Sequence, residues 1–198
     1  MNDLTAYRAA RDAMRPGDVI AFGGEGFVSG AIKFLTRSQV SHVGVVFGNP
    51  DSMVVIAEST SLNGRSGVQF NRLSERIEEY PGRAWWLPLS DHARAALDAD
   101  EMRHFLLAQD GKSYDFRGIN AFLARPIPGW GQIPFFHHGA EEAWFCSEYV
   151  AAGFQQAGLL HGHEPDEVSP QKLCEMSIYD KCVQLIGKPQ EIGRFNTL

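Results

Sequence analysis

The sequence predicts an α+β fold, an antiparallel sheet packed against helices. Three observations point there. Between residues 18 and 89, short segments rich in β-branched and aromatic residues alternate with turn-forming stretches. One helical pattern precedes this run and others follow it from residue 91 onward. The chain of 198 residues is 44% hydrophobic, 21% charged and 11% aromatic, an ordinary globular make-up able to bury roughly 70% of its unfolded surface as a single domain.

Taken in order, residues 3–14 read as a short amphipathic helix stopped ahead of Arg15-Pro16-Gly17-Asp18. Residues 18–22 (DVIAF) are a strand, and 23–26 (GGEG) a glycine-rich turn. Residues 28–36 are predicted as a short helix with Ser29 as N-cap. The next strand lies within 38–48 (SQVSHVGVVFG), followed by a turn at 48–52 and a strand at 53–60 (MVVIAEST). SLNGRSG is another turn, and VQFNRL and AWWLPL (84–89) are further strands. Strands joined directly by turns make an antiparallel sheet. Residues 91–110 read as helical, with Asp98 and Glu101 as a capping box and Gly111 beyond the end. Residues 126–139 (PIPGWGQIPFFHHG) are a long loop that either walls a cleft or packs back on the domain. Residues 145–160 form a helix, and 169–176 start another with Ser169 as cap.

Charge and composition narrow the function. The net charge is −6 and the basic residues are scattered, so no nucleic-acid footprint is expected. The first residues carry charges throughout and lack the apolar stretch of a signal peptide. No apolar run approaches the roughly 20 residues needed to span a bilayer. The three cysteines, Cys146, Cys174 and Cys182, show no pairing pattern, which fits free thiols in a reducing compartment, with the cytoplasm the expected address. There is no C-x-x-C, His161 and His163 lack partner spacing, and His137 and His138 are adjacent. No metal site and no cofactor are expected. Cys174 and Cys182 read as core residues of a late helical stretch.

His42 is the residue out of place, an imidazole on a strand that otherwise wants to be dry. In the simplest hairpin, Phe47 faces Met53, Val45 faces Val55 and His42 faces Glu58. A slip of two residues would leave imidazole and carboxylate as diagonal neighbours on one face, whereas a slip of one would separate them. A carboxylate beside a histidine fixes its tautomer and favours the imidazolium. Cys146 stands at the predicted start of the helix, where unsatisfied N–H groups and the helix dipole favour a thiolate. Taken singly, each of the three also fits a structural role. Together they form a candidate nucleophile, base and orienting acid.

Three stretches, RPGDVIAF (15–22), SHVGVVFG (41–48) and VIAEST (55–60), resemble the strand core of NlpC-type cell-wall peptidases, which are papain-like. Those enzymes carry their cysteine before the PGD strand. Here FCSEYV (145–150) follows the sheet, so the chain resembles the circularly permuted, YiiX/YaeF-like branch. GVQF (67–70), GKSYDF (111–116) and SPQKL (169–173) agree with this. The resemblance implies a permuted papain-like fold and a cysteine peptidase or amidase acting on a peptide or acyl-amide substrate, with a murein stem peptide as one candidate. By position it implies Cys146 as nucleophile, His42 as base, Glu58 as the orienting acid and Tyr114 as a substrate-binding or oxyanion residue. Acyl transfer, lipid or thioester hydrolysis, and a non-catalytic binding module are the alternatives. More distantly the chain resembles the lecithin:retinol acyltransferase group, but its Phe145-Cys146-Ser147-Glu148 stretch departs from that group's Asn-Cys-Glu-His pattern. Asp18 is expected to fix the turn into the first strand.

Overall fold

Adjacent residues of a strand face opposite sides of a sheet, and residues 19–24 are buried on both sides. Such a strand must be central and covered by two layers. The computed structural model, which describes residues 1–24, 38–62, 64–114 and 143–198 (backbone only for Tyr114 and Ala143), has that arrangement. In chain order its elements are α1 (Thr5–Ala10), β1 (Val19–Gly24), β2 (His42–Gly48), β3 (Val55–Leu62), β4 (Arg65–Arg72), α2 (Leu73–Glu78), β5 (Gly82–Leu87), α3 (Asp91–Ala96), α4 (Ala99–Ala108), β6 (Ser113–Tyr114), β7 (Ala143–Trp144), α5 (Cys146–Gln156), α6 (Pro170–Glu175) and β8 (Val183–Ile186). The predicted helix at 28–36 and the loop at 126–139 fall outside the described residues.

The main sheet has six strands in the order β4-β3-β2-β1-β5-β8, each neighbouring pair antiparallel. This is the α+β architecture expected. Val19 and Ala21 join Val43, Val45 and Ala57 in one core, under residues of α4, α5 and α6. Ile20 and Phe22 join Val46 and Ile56 in a second core, closed by Tyr7 of α1 and by Leu73 and Ile77 of α2. Trp85 and Trp86 show the alternation in two consecutive residues, the first in one core and the second in the other.

Asp18 pins the entry to β1. It is fully buried, and such a carboxylate is tolerable only when its oxygens are satisfied. It accepts from the Arg15 N–H (2.9 Å), the Trp86 indole (2.9 Å), the Leu89 N–H (3.1 Å) and the Arg94 guanidinium. Gly17 before it has φ +90°, and an added Cβ would lie 2.5 Å from Leu97. Only glycine fits there without strain.

Several boundaries differ from the sequence reading. β3 and β4 pair from Val55↔Arg72 to Leu62↔Arg65, so strand runs through most of SLNGRSG. The helix expected over 91–110 breaks at Leu97, because Asp98 turns its carboxylate onto the N–H groups of Asp100 and Glu101 and starts α4 afresh. Cys174 is buried in α6, but Cys182 is half-buried and lies just ahead of β8, not in a helix. Neither α2 nor β8 was expected.

Candidate active site

His42 opens β2, and strand register decides what it meets. Val45 pairs with Ala57 and Val46 with Ile56. One step further along, the same register sets Gly44 opposite Glu58 and His42 opposite Thr60. The directly opposed His42–Glu58 pairing of the simplest hairpin is therefore off by two residues. The connection accounts for this. Pro50–Ser52 form a 3-10 turn in which Asp51 and Ser52 take left-handed backbone, and a bulge lies between Val46 and Gly48. An even slip preserves the face, so His42 and Glu58 remain diagonal neighbours. On His42's side Gly44 stands between them. A Cβ there would approach Glu58 Cβ to 3.2 Å and the Ala57 carbonyl to 3.3 Å. The missing side chain leaves the space in which Nε2 of His42 comes to 2.5 Å from Oε2 of Glu58.

The Glu58 side chain has no solvent exposure and that of His42 has 12%. A carboxylate so placed costs several kcal/mol unless well paired. Besides His42, it accepts from Nδ2 of Asn71 at 2.9 Å and from Nε of Arg76 at 3.0 Å. Burial pushes the carboxyl pKa up; the hydrogen bond from His42 and the charge of Arg76 outweigh it and hold Glu58 down at about 2. Arg76 sits between two aromatic rings, its guanidinium carbon 4.7 Å from the centroid of Phe22 and 4.9 Å from that of Tyr80. Phe22 also packs against His42, the two rings tilted with centroids 5.4 Å apart.

Cys146 is the first residue of α5 and fully buried. The Phe145 N–H ahead of it donates to Oε2 of Glu148 at 3.2 Å, half of a capping box. Ser59, next to Glu58 but on the other face of β3, donates its hydroxyl to the Trp144 carbonyl at 2.7 Å. Thus β3 holds the carboxylate on one side and the approach to α5 on the other. Cys146 packs in the first core, whereas His42 shares a face with residues of the second. The sulfur nonetheless bears electrostatically on the imidazole. Burial opposes charge on His42; the sulfur and Glu58 outweigh it and push the imidazole pKa up to about 9.

The backbone of Tyr114 lies in β6, paired with Trp144 of β7, two residues before Cys146; its side chain falls outside the described residues. The other two thiols are unsuited to attack. Burial pushes Cys174 far up and Cys182 up to about 11.

Arg76, Asn71 and Tyr80 escaped the sequence reading. The signal for Arg76 was its place one residue before buried Ile77 and three after buried Leu73. Among Ser74, Glu75, Glu78 and Glu79, however, it reads as one more solvated charge. Tyr80 has its phenol pushed up to about 12 by burial, partly offset by Arg76, and it feels the charges of both Glu58 and Cys146.

Comparisons with known proteins bear on this geometry. No family model matches the chain. The "Probable lipoprotein peptidase YaeF" of Escherichia coli K12 is 24% identical over 189 residues, covering 84% of this chain. The chain spans 65% of that relative's length. Among solved structures, the "metalloprotein yiiX" of Escherichia coli O157:H7 aligns with a TM-score of 0.51 and 19% identity, over 73% of this chain and 66% of that one. This likeness establishes a common fold.

Proposed function

Because the chain is YiiX/YaeF-like in sequence and in fold, we propose that it is a cysteine hydrolase of permuted papain-like topology that cleaves an amide bond in a peptide. The observation that carries the reading is the buried His42–Glu58 pair at 2.5 Å, with Cys146 at the head of α5 helping to raise the imidazole's pKa. The relative's designation as a peptidase supports the same class of chemistry.

In the proposed cycle the Cys146 thiolate attacks the substrate carbonyl. The first-turn N–H groups of α5 stabilise the oxyanion, an interaction worth roughly 3–4 kcal/mol in hydrolases of this kind. The imidazolium of His42 gives its proton to the leaving amine as the C–N bond breaks. An acyl-enzyme thioester remains. Neutral His42 then takes a proton from water, which attacks the thioester and releases the acid. Glu58 holds the ring through Nε2 and stays ionised throughout. The proposed substrate is a peptide amide, a murein stem peptide among the candidates, and the proposed address is the cytoplasm. Among the described residues no helix is long and apolar enough to cross a membrane.

The structural neighbour is named a metalloprotein. Among the described residues no three His, Cys, Asp or Glu side chains are grouped to hold a metal ion. The carboxylate beside His42 is already shared with Asn71 and Arg76, and a guanidinium 3.0 Å away repels a cation. The described site residues do not fit a metal, and no step runs through one.

The test is turnover of a peptide panel, murein stem peptides included, by the wild type and Cys146→Ala. The reading expects new amine and acid ends, a thioester adduct of Cys146 in rapid-quench mass spectrometry, and loss of at least about a thousandfold in the variant. Equal turnover by Cys146→Ala overturns it.

A further inference from the structure

Glu58 touches two cationic groups, and only one of them belongs to the proposed catalytic set. Arg76 is 91% buried as a side chain, clamped between Phe22 and Tyr80, and its Nε reaches both carboxylate oxygens, at 3.0 and 3.4 Å. It comes from α2, whose Leu73 and Ile77 anchor the helix in the second core. Four aromatic or conjugated groups pack together: His42 tilted against Phe22, Phe22 edge-on to Tyr80, and the Arg76 guanidinium over the rings of both Phe22 and Tyr80. Such a clamp leaves the guanidinium little freedom to leave the carboxylate.

We propose that Arg76 is a positioning residue of this site, acting through Glu58: it fixes the carboxylate toward His42 and neutralises it, so that the ring is oriented by a net-neutral pair. This rests on the hydrolase reading for its role in turnover, but not for its effect on the imidazole. In many thiol hydrolases a neutral amide orients the histidine. A bare buried glutamate would instead grip the imidazolium and slow release of its proton to the leaving group. The Glu58–Arg76 pair offers an acceptor at Nε2 while cancelling most of that field. The other groups bearing on the imidazole are Cys146 from α5 and, through the carboxylate, Asn71 from β4; Tyr80, beyond α2, bears on Glu58. Arg72, Glu75 and Glu79 line the open cleft of about 290 Å³ outside Arg76 and Tyr80, and Arg72 and Glu75 are paired with each other at 3.1 Å.

The experiment is an NMR titration of the His42 imidazole in the wild type, Arg76→Met and Arg76→Lys, with the pH profile of kcat/KM measured alongside. Arg76→Met should raise the His42 midpoint by about one pH unit, move the alkaline limb of the profile the same way, and lower kcat with little change in KM. Arg76→Lys restores the charge without the planar fork, so it should return the midpoint most of the way and kcat only in part. A folded Arg76→Met with an unchanged or lowered midpoint overturns the proposal and marks Arg76 as a structural ion pair. A shifted midpoint in a protein that hydrolyses nothing sustains the proposal and removes the hydrolase reading instead. Should Arg76→Met not fold, the kinetics of Arg76→Lys decide: a lowered kcat at near-wild-type KM supports the proposal, and wild-type kcat and KM contradict it.

Discussion

The Ser59 hydroxyl donates to the carbonyl of Trp144 at 2.7 Å, two residues before Cys146, while its neighbour Glu58 faces the other way onto His42. One dipeptide of β3 thereby sets the distance between the two halves of the site. Ser59→Ala should strand a carbonyl and cost roughly 1–3 kcal/mol. In denaturant unfolding the midpoint should fall with the slope unchanged, and Cys146 should alkylate more slowly at pH 6.5. Unaltered alkylation in the folded variant would show that the tether does not set the sulfur's position.

Glu58 is satisfied by three donors, two of them cationic groups. Removing it leaves Arg76 buried without its counter-ion. Glu58→Ala should therefore lose about 3–5 kcal/mol, and Glu58→Gln, which keeps an acceptor, distinctly less. Equal losses in chemical denaturation would mean that the retained acceptor contributes nothing and that the charge facing Arg76 carries the whole effect.

The two shifted groups predict a stability window. The raised pKa of His42 contributes stability that is complete below its unfolded value of 6.5 and disappears as pH climbs through about 9. The lowered pKa of Glu58 contributes stability that is complete above 4.5 and disappears as pH drops through about 2. Both are fully present between 4.5 and 6.5. Melting temperature should plateau there and decline from pH 6.5 toward 9, and His42→Ala should flatten that alkaline decline. An identical alkaline slope in the variant would remove His42 as its source.

Asp18 supplies a contrast from outside the site. Its carboxylate ties the turn before β1 to Trp86, Leu89 and Arg94. Asp18→Asn should lower the melting temperature by several degrees while the folded protein alkylates at Cys146 at the wild-type rate. A slowed alkylation at full folding would give Asp18 a part in the site that its contacts do not suggest.

What could be read from residues alone followed from period and capping. The two-residue repeat of strands put His42 and Glu58 on one face under any even register, and the start of a helix at residue 146 followed from the apolar run after Trp144. The register itself was not legible, because the bulge after Val46 and two left-handed residues, Asp51 and Ser52, carry no signature that GNPDS displays. The break at Leu97 was hidden inside a continuous helical pattern that only the cap of Asp98 interrupts. Arg76 was hidden by its own helix: six residues crowded with charge look solvated until Leu73 and Ile77 are seen anchored in the second core. Long-range pairing, not local preference, decides each of these.

The coupling of Cys146 to His42 is the claim on which the rest turns, and thiol reactivity reads it without any substrate. The rate of iodoacetamide alkylation at Cys146 should be followed from pH 5 to 9 in the wild type and in His42→Ala, with Cys174 and Cys182 mapped by mass spectrometry. The account predicts rapid wild-type alkylation already at pH 6 and a drop of about tenfold or more in the variant at that pH. Superimposable profiles from two folded proteins would contradict it.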